Sequence, residues 1–325
     1  MSGIGVVLNP RSRRNLRNPG AYDRLARRLE GHGVVREARS IDELYRIAED
    51  FRKIEIDLLG ISGGDGTNHI TLTGFIDVWG AALPQVAFLR GGTMNTVANS
   101  VGVRHGKPEG LLARLIQDYA QRAAIPLAHC ERHVMRIGSG SSGAGSSGDH
   151  YGFLFGTGAV RGFIAEYYEG GEPSPAVAAK TLARAIGSAV VGGAMVRRMC
   201  APFFGSVELD DGTIWEERDY FSVAAGTIDQ IGLNFRPFRR FDEKPENFHI
   251  LGIHTSPMGF VYDLPRIWRA EPMRPGKTYE SLSTRAVVRS SKGPIQYTVD
   301  GDLHESSDRE LEISIGPKVR IVVGS

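Results

Sequence analysis

With 325 residues, 41% of them hydrophobic, the chain can bury two cores of ordinary size, while 39 Lys and Arg against 37 Asp and Glu leave a formal charge of only +2. That balance excludes a highly charged disordered chain and a protein that coats nucleic acid. Two cysteines, Cys130 and Cys200, without a CxxC pair, indicate neither a disulfide framework nor a zinc site and predict a reduced, cytoplasmic setting.

Met1–Pro10 holds too short an apolar run, without preceding positive charge, for a secretory signal. Gly5–Leu8 predicts a first strand. Asn18-Pro19 then predicts a helix start, with Tyr22, Leu25 and Leu29 on one face. Through this stretch Arg11, Arg13, Arg14, Arg17, Arg24, Arg27 and Arg28 crowd together with Asp23 the only acid among them, a local basic face. Ser40 and Glu43 stand at capping-box spacing, and Ile41, Leu44, Ile47, Ala48 and Phe51 follow at helical intervals. A strand over 56–61 leads into a glycine turn, a helix over 67–79, a strand over 86–89, a second glycine turn and a helix from about Asn95. Leu111, Leu112, Leu115, Ile116 and Tyr119 mark one more helix after Pro108. This alternation predicts an α/β domain over residues 1–124, an open and mainly parallel sheet covered by helices.

Beyond Ala124 short strand-like runs follow one another between turns, with hairpin character at Asp211-Gly212. They predict a larger, mostly antiparallel β-rich domain over 125–307, after which residues 308–325 could rejoin the first domain. Helical signals interrupt it at Val160–Tyr167 and again between Ala176 and Met199. Residues 138–148 are only Gly, Ser and Ala, a composition that predicts a mobile hairpin loop inside the second domain. The 176–199 segment sets Lys180, Arg184, Arg197 and Arg198 among small apolar residues, which suits either contact with anionic headgroups or a scaffold helix. Its apolar run is too short to span a bilayer, so membrane contact would be peripheral, at the inner surface.

Ser62-Gly63-Gly64-Asp65-Gly66-Thr67 stands where a strand turns into a helix. Glycines there permit positive φ and let a phosphate chain approach backbone amides, and a helix start favours anions. Asp65 adds a carboxylate that could hold Mg²⁺ against phosphates or orient nucleotide hydroxyls. Alone this would be a tight turn, but Arg90-Gly91-Gly92-Thr93-Met94-Asn95 repeats the pattern after the next strand. Two such edges at the ends of successive strands lie where ligands collect in this architecture. Arg11 or Arg14, leaving the end of the first strand, could also reach phosphates. The absence of GxxxxGK[ST] and of GxGxxG after the first strand excludes a P-loop NTPase and the dinucleotide fingerprint. His69, His129 and His133 show no metal-ligand spacing.

The pair of motifs resembles the diacylglycerol kinase catalytic domain family, which includes bacterial lipid kinases and sphingosine kinases. The match runs from Val7-Leu8-Asn9-Pro10 through Gly63–Thr67 and Gly91–Asn95, with Thr96-Val97-Ala98 after it, to Val299-Asp300-Gly301-Asp302. The resemblance implies ATP-dependent phosphorylation of a lipid hydroxyl, with ATP and Mg²⁺ as cofactors. It places Gly63, Gly64, Asp65, Gly66 and Thr67 on the ATP phosphates, with Asp65 touching the metal through ATP, and Gly91, Gly92, Thr93 and Asn95 in the nucleotide pocket; Asn9 and Arg11, at the end of the first strand, are read as nucleotide-binding with them. It also implies that the Asp-Gly-Asp element returns to a cleft between the domains, where Asp300 serves as general base and Asp302 supports it. Phosphoryl transfer needs little more than clamped phosphates, neutralised charge and an aligned hydroxyl. Apolar residues from Phe153 to Tyr168 stand where the family places its lipid-receiving cleft, although core packing accounts for most of them. Three features depart from the family: His69-Ile70 replaces an Asn-Glu pair, Asp302 replaces a Glu, and Asp242-Glu243 follows Gly232–Pro237 in place of an Asp-Gly pair that supports a structural Mg²⁺. Two other readings share the glycine-Asp-glycine turn or explain the departures: an NAD kinase or phosphofructokinase-type kinase, and a non-catalytic nucleotide or lipid sensor.

Overall fold

The computed structural model describes residues 3–138, 148–170 and 174–324. Most of the loop predicted over 138–148 lies outside the described residues. Met1–Arg132 together with Pro317–Ser325 forms one compact unit, and His133–Gly316 forms another.

In the first unit β1 (Ile4–Leu8), β2 (Gly33–Glu37), β3 (Leu58–Ser62) and β4 (Gln85–Phe88) lie in the order β2-β1-β3-β4, all parallel. β1 and β3 are buried at every position, as strands with both faces covered must be. Their register pairs Ile4 with Leu58 and Leu8 with Ser62, so the two strands end level. Between and after them run α1 (Arg13–Leu16), α2 (Ala21–Leu29), α3 (Ile41–Lys53), α4 (Asp65–Trp79), α5 (Thr96–Ser100) and α6 (Pro108–Ala120). Leu25 and Leu29 of α2 and Leu111, Leu112 and Leu115 of α6 pack with Ile4, Leu8 and Leu58 in one core.

The predicted cap of α3 forms: Ser40 Oγ accepts from Glu43 N at 3.2 Å, and the Glu43 carboxylate reaches back to Arg39 N at 2.8 Å rather than to Ser40 itself. The start of α2 differs from expectation. Gly20, at φ +76°, holds the N-cap position, and Asn18 spends its side-chain amide on Glu109 at 3.0 Å.

The second unit contains β5 (His129–Gly138, entering from the first unit), β6 (His150–Gly152), β7 (Leu154–Thr157), α7 (Ala159–Glu169), α8 (Pro175–Val191), α9 (Ala194–Met199), β8 (Phe203–Leu209) and β9 (Ile214–Tyr220). These are followed by β10 (Ser222–Gly226), β11 (Phe248–Ile253), α10 (Pro257–Trp268), β12 (Thr278–Ser283), β13 (Arg285–Ser290), β14 (Gln296–Val299), β15 (Asp302–Glu305) and β16 (Glu310–Val322). One antiparallel sheet runs β12-β11-β10-β7-β14-β15. A second antiparallel set joins β9, β8, β13 and the first part of β16. Phe155, Val223, Phe248 and Val299 from the former meet Val207, Val288, Leu311 and Ile313 from the latter in one core. The opposite face of β10 and β11 gives Ala224, Leu251 and Ile253 to a smaller core that includes Ala159 of α7, with Phe260 of α10 packed against it.

The helix predicted over 176–199 is two helices, because Gly192, at φ +63°, ends α8 and Gly193 precedes α9. The hairpin at Asp211-Gly212 forms, with Gly212 at φ +81° and Thr213 N donating to Asp211 Oδ1 at 2.8 Å. Among the described residues no helix is long and apolar enough to cross a membrane. The fold is mixed α/β, with a mainly parallel N-terminal sheet and a second, antiparallel one.

Candidate active site

Two glycine loops meet backbone to backbone in the first unit. Gly63 and Gly64 join β3 to α4, and Gly91 and Gly92 lie between β4 and α5. A Cβ placed on Gly92 would stand 2.2 Å from Gly64 Cα, one on Gly91 2.8 Å from Gly63 N, and one on Gly63 2.2 Å from Thr67 Cβ. None of these four glycines has positive φ; the left-handed residues of the second loop are Arg90 (φ +51°) and Asn95 (φ +49°). Glycine is therefore required here for close approach, and the torsional freedom expected from the sequence is used elsewhere.

Asp65 opens α4 and holds the second loop. Its Oδ2 accepts from Thr96 N at 3.0 Å and its Oδ1 from Val97 N at 3.3 Å, so a carboxylate from one loop caps the helix that follows the other. Asn95, in the N-cap position of α5, instead turns its side-chain amide back to Gly92 O at 3.1 Å. Burial pushes the Asp65 carboxyl above its usual range, against the lowering effect of these amides and of Arg90. Arg90 is itself buried and donates to Val103 O at 3.2 Å, to Asn99 Oδ1 and toward His105 Nδ1 at 3.0 Å. Desolvation lowers its pKa and Arg14 adds to the lowering, while Asp65 opposes it.

The end of β1 is tied to the same place. Asn9 Nδ2 donates to Thr67 Oγ1 at 2.9 Å, and Asn9 Oδ1 accepts from Arg11 N at 2.8 Å. Asn15 Nδ2 bridges Asn9 O at 2.8 Å and Ser62 O at 3.2 Å. Arg11 itself is exposed, and Gly66 and Thr93 are partly buried. Neither Asn15 nor Arg90 is a predicted site residue: Asn15 lies in an arginine-rich run without periodic signal, whereas Arg90 opens the second motif, where the glycines carry the signal. Ser62 Oγ, Asn68 Oδ1 and Asn95 Oδ1 are buried with no protein hydrogen-bond partner among the described residues. Three such acceptors beside a glycine-lined turn fit a hydrated cation or nucleotide hydroxyls, either of which would supply donors.

The Asp-Gly-Asp element lies in the second unit as a two-residue hairpin between β14 and β15. Asp300 (φ +48°) and Gly301 (φ +95°) both take positive φ, and Val299 pairs with Asp302, the signature of a primed turn. Asp300 is buried. Its Oδ1 accepts from Phe153 N at 3.0 Å and Leu154 N at 2.8 Å, and its Oδ2 from Phe153 N at 3.2 Å. Tyr168 of α7 donates its hydroxyl to Gly301 O at 3.1 Å. Asp302 is partly buried at the start of β15. Close by in sequence, the His304 ring stands 3.9 Å from that of His150 and 5.4 Å from that of Tyr297, centroid to centroid. Burial, then the neighbouring His150, pushes His304 down to about 4. Of the apolar residues around Gly156-Thr157-Gly158, Phe153, Phe155 and Tyr167 are buried in the unit, whereas Tyr168 is 45% exposed.

Residues 3–127 match the diacylglycerol kinase catalytic domain. Among solved structures, a diacylglycerol kinase from Bacillus anthracis str. Sterne superimposes with a TM-score of 0.61 at 12% identity, over 99% of this chain and 97% of that one. A second protein of the same strain, provisionally assigned as a diacylglycerol kinase, gives 0.68 at 14% identity over 99% and 97%. At such identities the likeness is one of fold. No curated protein sequence matches the chain. Residues 3–127, which hold Asn9, Asp65 and both glycine loops, are the part of the chain that is similar to the diacylglycerol kinase catalytic domain.

Proposed function

We propose that the protein is a kinase that uses ATP and Mg²⁺ to phosphorylate a hydroxyl of a diacylglycerol-like lipid. The observation that carries this reading is the contact of the two glycine loops, where a Cβ on Gly92 would lie 2.2 Å from the Gly64 backbone. Such a pair offers a backbone surface that a phosphate chain can approach without meeting side chains. Asn9, Gly63, Gly64, Gly66, Thr67, Gly91, Gly92 and Thr93 would line the phosphates, with Arg11 as the exposed cation beside them. Asn95, Asn68 and Ser62 would accept from nucleotide hydroxyls or metal-bound water. Bound Mg²⁺ and ATP would supply the transferable phosphoryl group and neutralise its charge. The carboxylate of Asp65 keeps lone pairs beyond those given to Thr96 and Val97, which suits it to a cation as well as to its capping role.

On the acceptor side we assign the proton-accepting role to Asp302 and a positioning role to Asp300, the reverse of the order expected from sequence. Asp300 gives its oxygens to the amides of Phe153 and Leu154, which fixes the carboxylate and leaves it fewer lone pairs for a substrate proton. In this reading Asp302 would take the hydroxyl proton as the acceptor oxygen bonds to the γ-phosphorus of ATP and the bond from that phosphorus to the ADP oxygen breaks, ADP leaving. The enzyme works at the cytoplasmic face of an anionic membrane as a peripheral protein, touching it through basic residues such as Arg197. Arg198 contributes less, being ion-paired with Glu166 at 3.0 Å.

The test is transfer of labelled γ-phosphate to a panel of diacylglycerol, a sphingoid base, phosphatidylglycerol, a soluble polyol and NAD, with Mg²⁺ varied. Label in a lipid product, dependent on Mg²⁺, is the expected result. Label confined to NAD or the polyol would replace the lipid kinase reading, and bound ATP with no transfer to any acceptor would favour a sensor.

A further inference from the structure

The first unit holds a second concavity that shares no residue with the glycine loops. It is about 970 Å³ in volume and opens where α1, α2 and the start of α6 converge. Its cationic lining is Arg14, Arg17, Arg24, Arg27, Arg28 and Lys107, and the only carboxylate in the lining is Glu109.

Ordinary surface chemistry accounts for part of this charge. Arg27 and Arg28 occupy the last turn of α2, where cations offset the helix dipole. Arg24 holds Glu109 at 3.2 Å and also bonds the carbonyls of Pro19 and Asn18. Arg14 donates to the carbonyls of Arg90 and Gly106 at 3.0 and 3.1 Å. Dipole compensation does not explain why Arg17 from the end of α1 and Lys107 from the start of α6 face the same hollow as the arginine face of α2. Arg24, Arg27 and Arg28 fall at i, i+3 and i+4, one side of that helix, flanking the face on which Ala21, Leu25 and Leu29 enter the core. Guanidinium groups cannot shed their charge. Cations gathered around one hollow repel one another, and an anion with several charges removes that cost.

We propose that this hollow is a second anion site, one that binds a ligand carrying multiple phosphate charges. Several arginines around one space match phosphate oxygens through paired N–H donors. The volume lies at the upper end of small-molecule sites, too large for one phosphate ion, so the ligand is a polyphosphate or a phosphomonoester attached to a larger body. Arg14 gives the site a route to the glycine loops: it lines the hollow and bonds the backbone of Arg90, the residue that opens the second loop. The inference stands apart from the lipid kinase reading, because it predicts binding whatever the acceptor.

The test is calorimetry of the full chain with inorganic tripolyphosphate, beside co-sedimentation with phosphatidylcholine vesicles with and without phosphatidate. The variant is Arg17→Gln/Arg27→Gln/Arg28→Gln, which removes the charge, keeps an unbranched polar side chain of good helix preference and leaves Arg14 and Arg24 in place; circular dichroism confirms its fold. The control is Arg46→Gln/Lys53→Gln on α3. Wild-type protein should bind with an affinity that falls as salt rises. The triple variant should lose at least about tenfold, since each charge-assisted bond is worth more than that factor on average, and the control should lose nothing. Tripolyphosphate binding alone supports a soluble ligand; phosphatidate-dependent sedimentation weakened by the triple variant supports a lipid headgroup. The proposal is overturned if neither probe binds, if the control loses as much as the triple variant, or if a non-hydrolysable ATP analogue fully displaces tripolyphosphate, because the hollow would then be part of the nucleotide site.

Discussion

The contact between the glycine loops makes an asymmetric prediction for two chemically identical changes. In Gly92→Ala the new methyl would stand 2.2 Å from Gly64 Cα, whereas in Gly64→Ala it would stand 3.1 Å from Gly92 Cα. Carbon atoms rest at about 3.5 Å or more. Gly92→Ala must therefore part the loops by more than about 1 Å, and Gly64→Ala by a few tenths. Neither position has positive φ, so alanine adds no torsional strain and stiffens the unfolded chain by about 0.4–1 kcal/mol in favour of folding. Overpacking against backbone costs about 1–3 kcal/mol. The expected net effect is a loss of about 1–2 kcal/mol in local stability for Gly92→Ala and near neutrality for Gly64→Ala. A displacement of about 1 Å among phosphate-binding groups can cost ~10²-fold in transfer rate, so Gly92→Ala should also lose most of its phosphotransfer. Hydrogen exchange of peptides covering 58–100 reads the stability, and kcat/KM with ATP varied reads the geometry. If Gly92→Ala matches wild type in both, or Gly64→Ala is the worse of the two, the loops do not meet as described and the close-approach account of these glycines fails.

Asp302→Asn should lower kcat by ~10² to 10⁴-fold at saturating ATP with little change in stability. Asp300→Asn should instead lose about 1–3 kcal/mol in urea unfolding, because it removes the charge that assists these bonds and sets an NH₂ against the Phe153 amide that Oδ2 now accepts from; turnover lost only in the Asp300 variant, at unchanged stability, would return the base to Asp300. Tyr168→Phe removes the bond to Gly301 O and should raise hydrogen exchange in the β14–β15 hairpin without unfolding the unit; unchanged exchange would show that the turn holds without it. His304 is neutral in the folded chain down to about 4, against 6.5 for the free side chain. The unfolded chain therefore takes up that proton first, and stability should fall as pH drops from about 6.5 and level off near about 4. His304→Gln should flatten that part of the curve in a urea series, and an unaltered slope would place the titration elsewhere.

Features set by local chemistry were readable from sequence. Ser40 and Glu43 announced their helix because capping depends on residues three apart, and Asp211-Gly212 announced its hairpin because positive φ is needed there. α10 was missed: Ser256 caps it and Pro257 starts it, but Pro265 inside it reads as a break until the surrounding packing is known. β2 carries one buried residue in five, too weak a pattern to separate from loop. At the candidate site the motifs located the glycine loops, yet what each residue does depends on partners distant in sequence. Asp65 reads as a ligand in isolation and proves also to cap a helix 31 positions on. Asp300 reads as a base and is engaged by amides 146 and 147 positions away. Pairings of that range leave no spacing signal in a single chain.

The first unit is assembled from both ends of the chain: Ile321 pairs with Val86 of β4, Val322 enters the core with Ile4 and Leu58, and Val323 N bonds Ala128 O at 2.9 Å. During synthesis the residues that form both glycine loops leave the ribosome ahead of His133–Gly316, but the segment that completes their sheet arrives only after the whole of it. The nascent chain must carry β4 with an unpaired edge for that interval, an exposure that invites wrong strand partners. Removal of Pro317–Ser325 should therefore damage the unit that bears the N-terminal glycine loops while leaving the strands of the other unit their own partners.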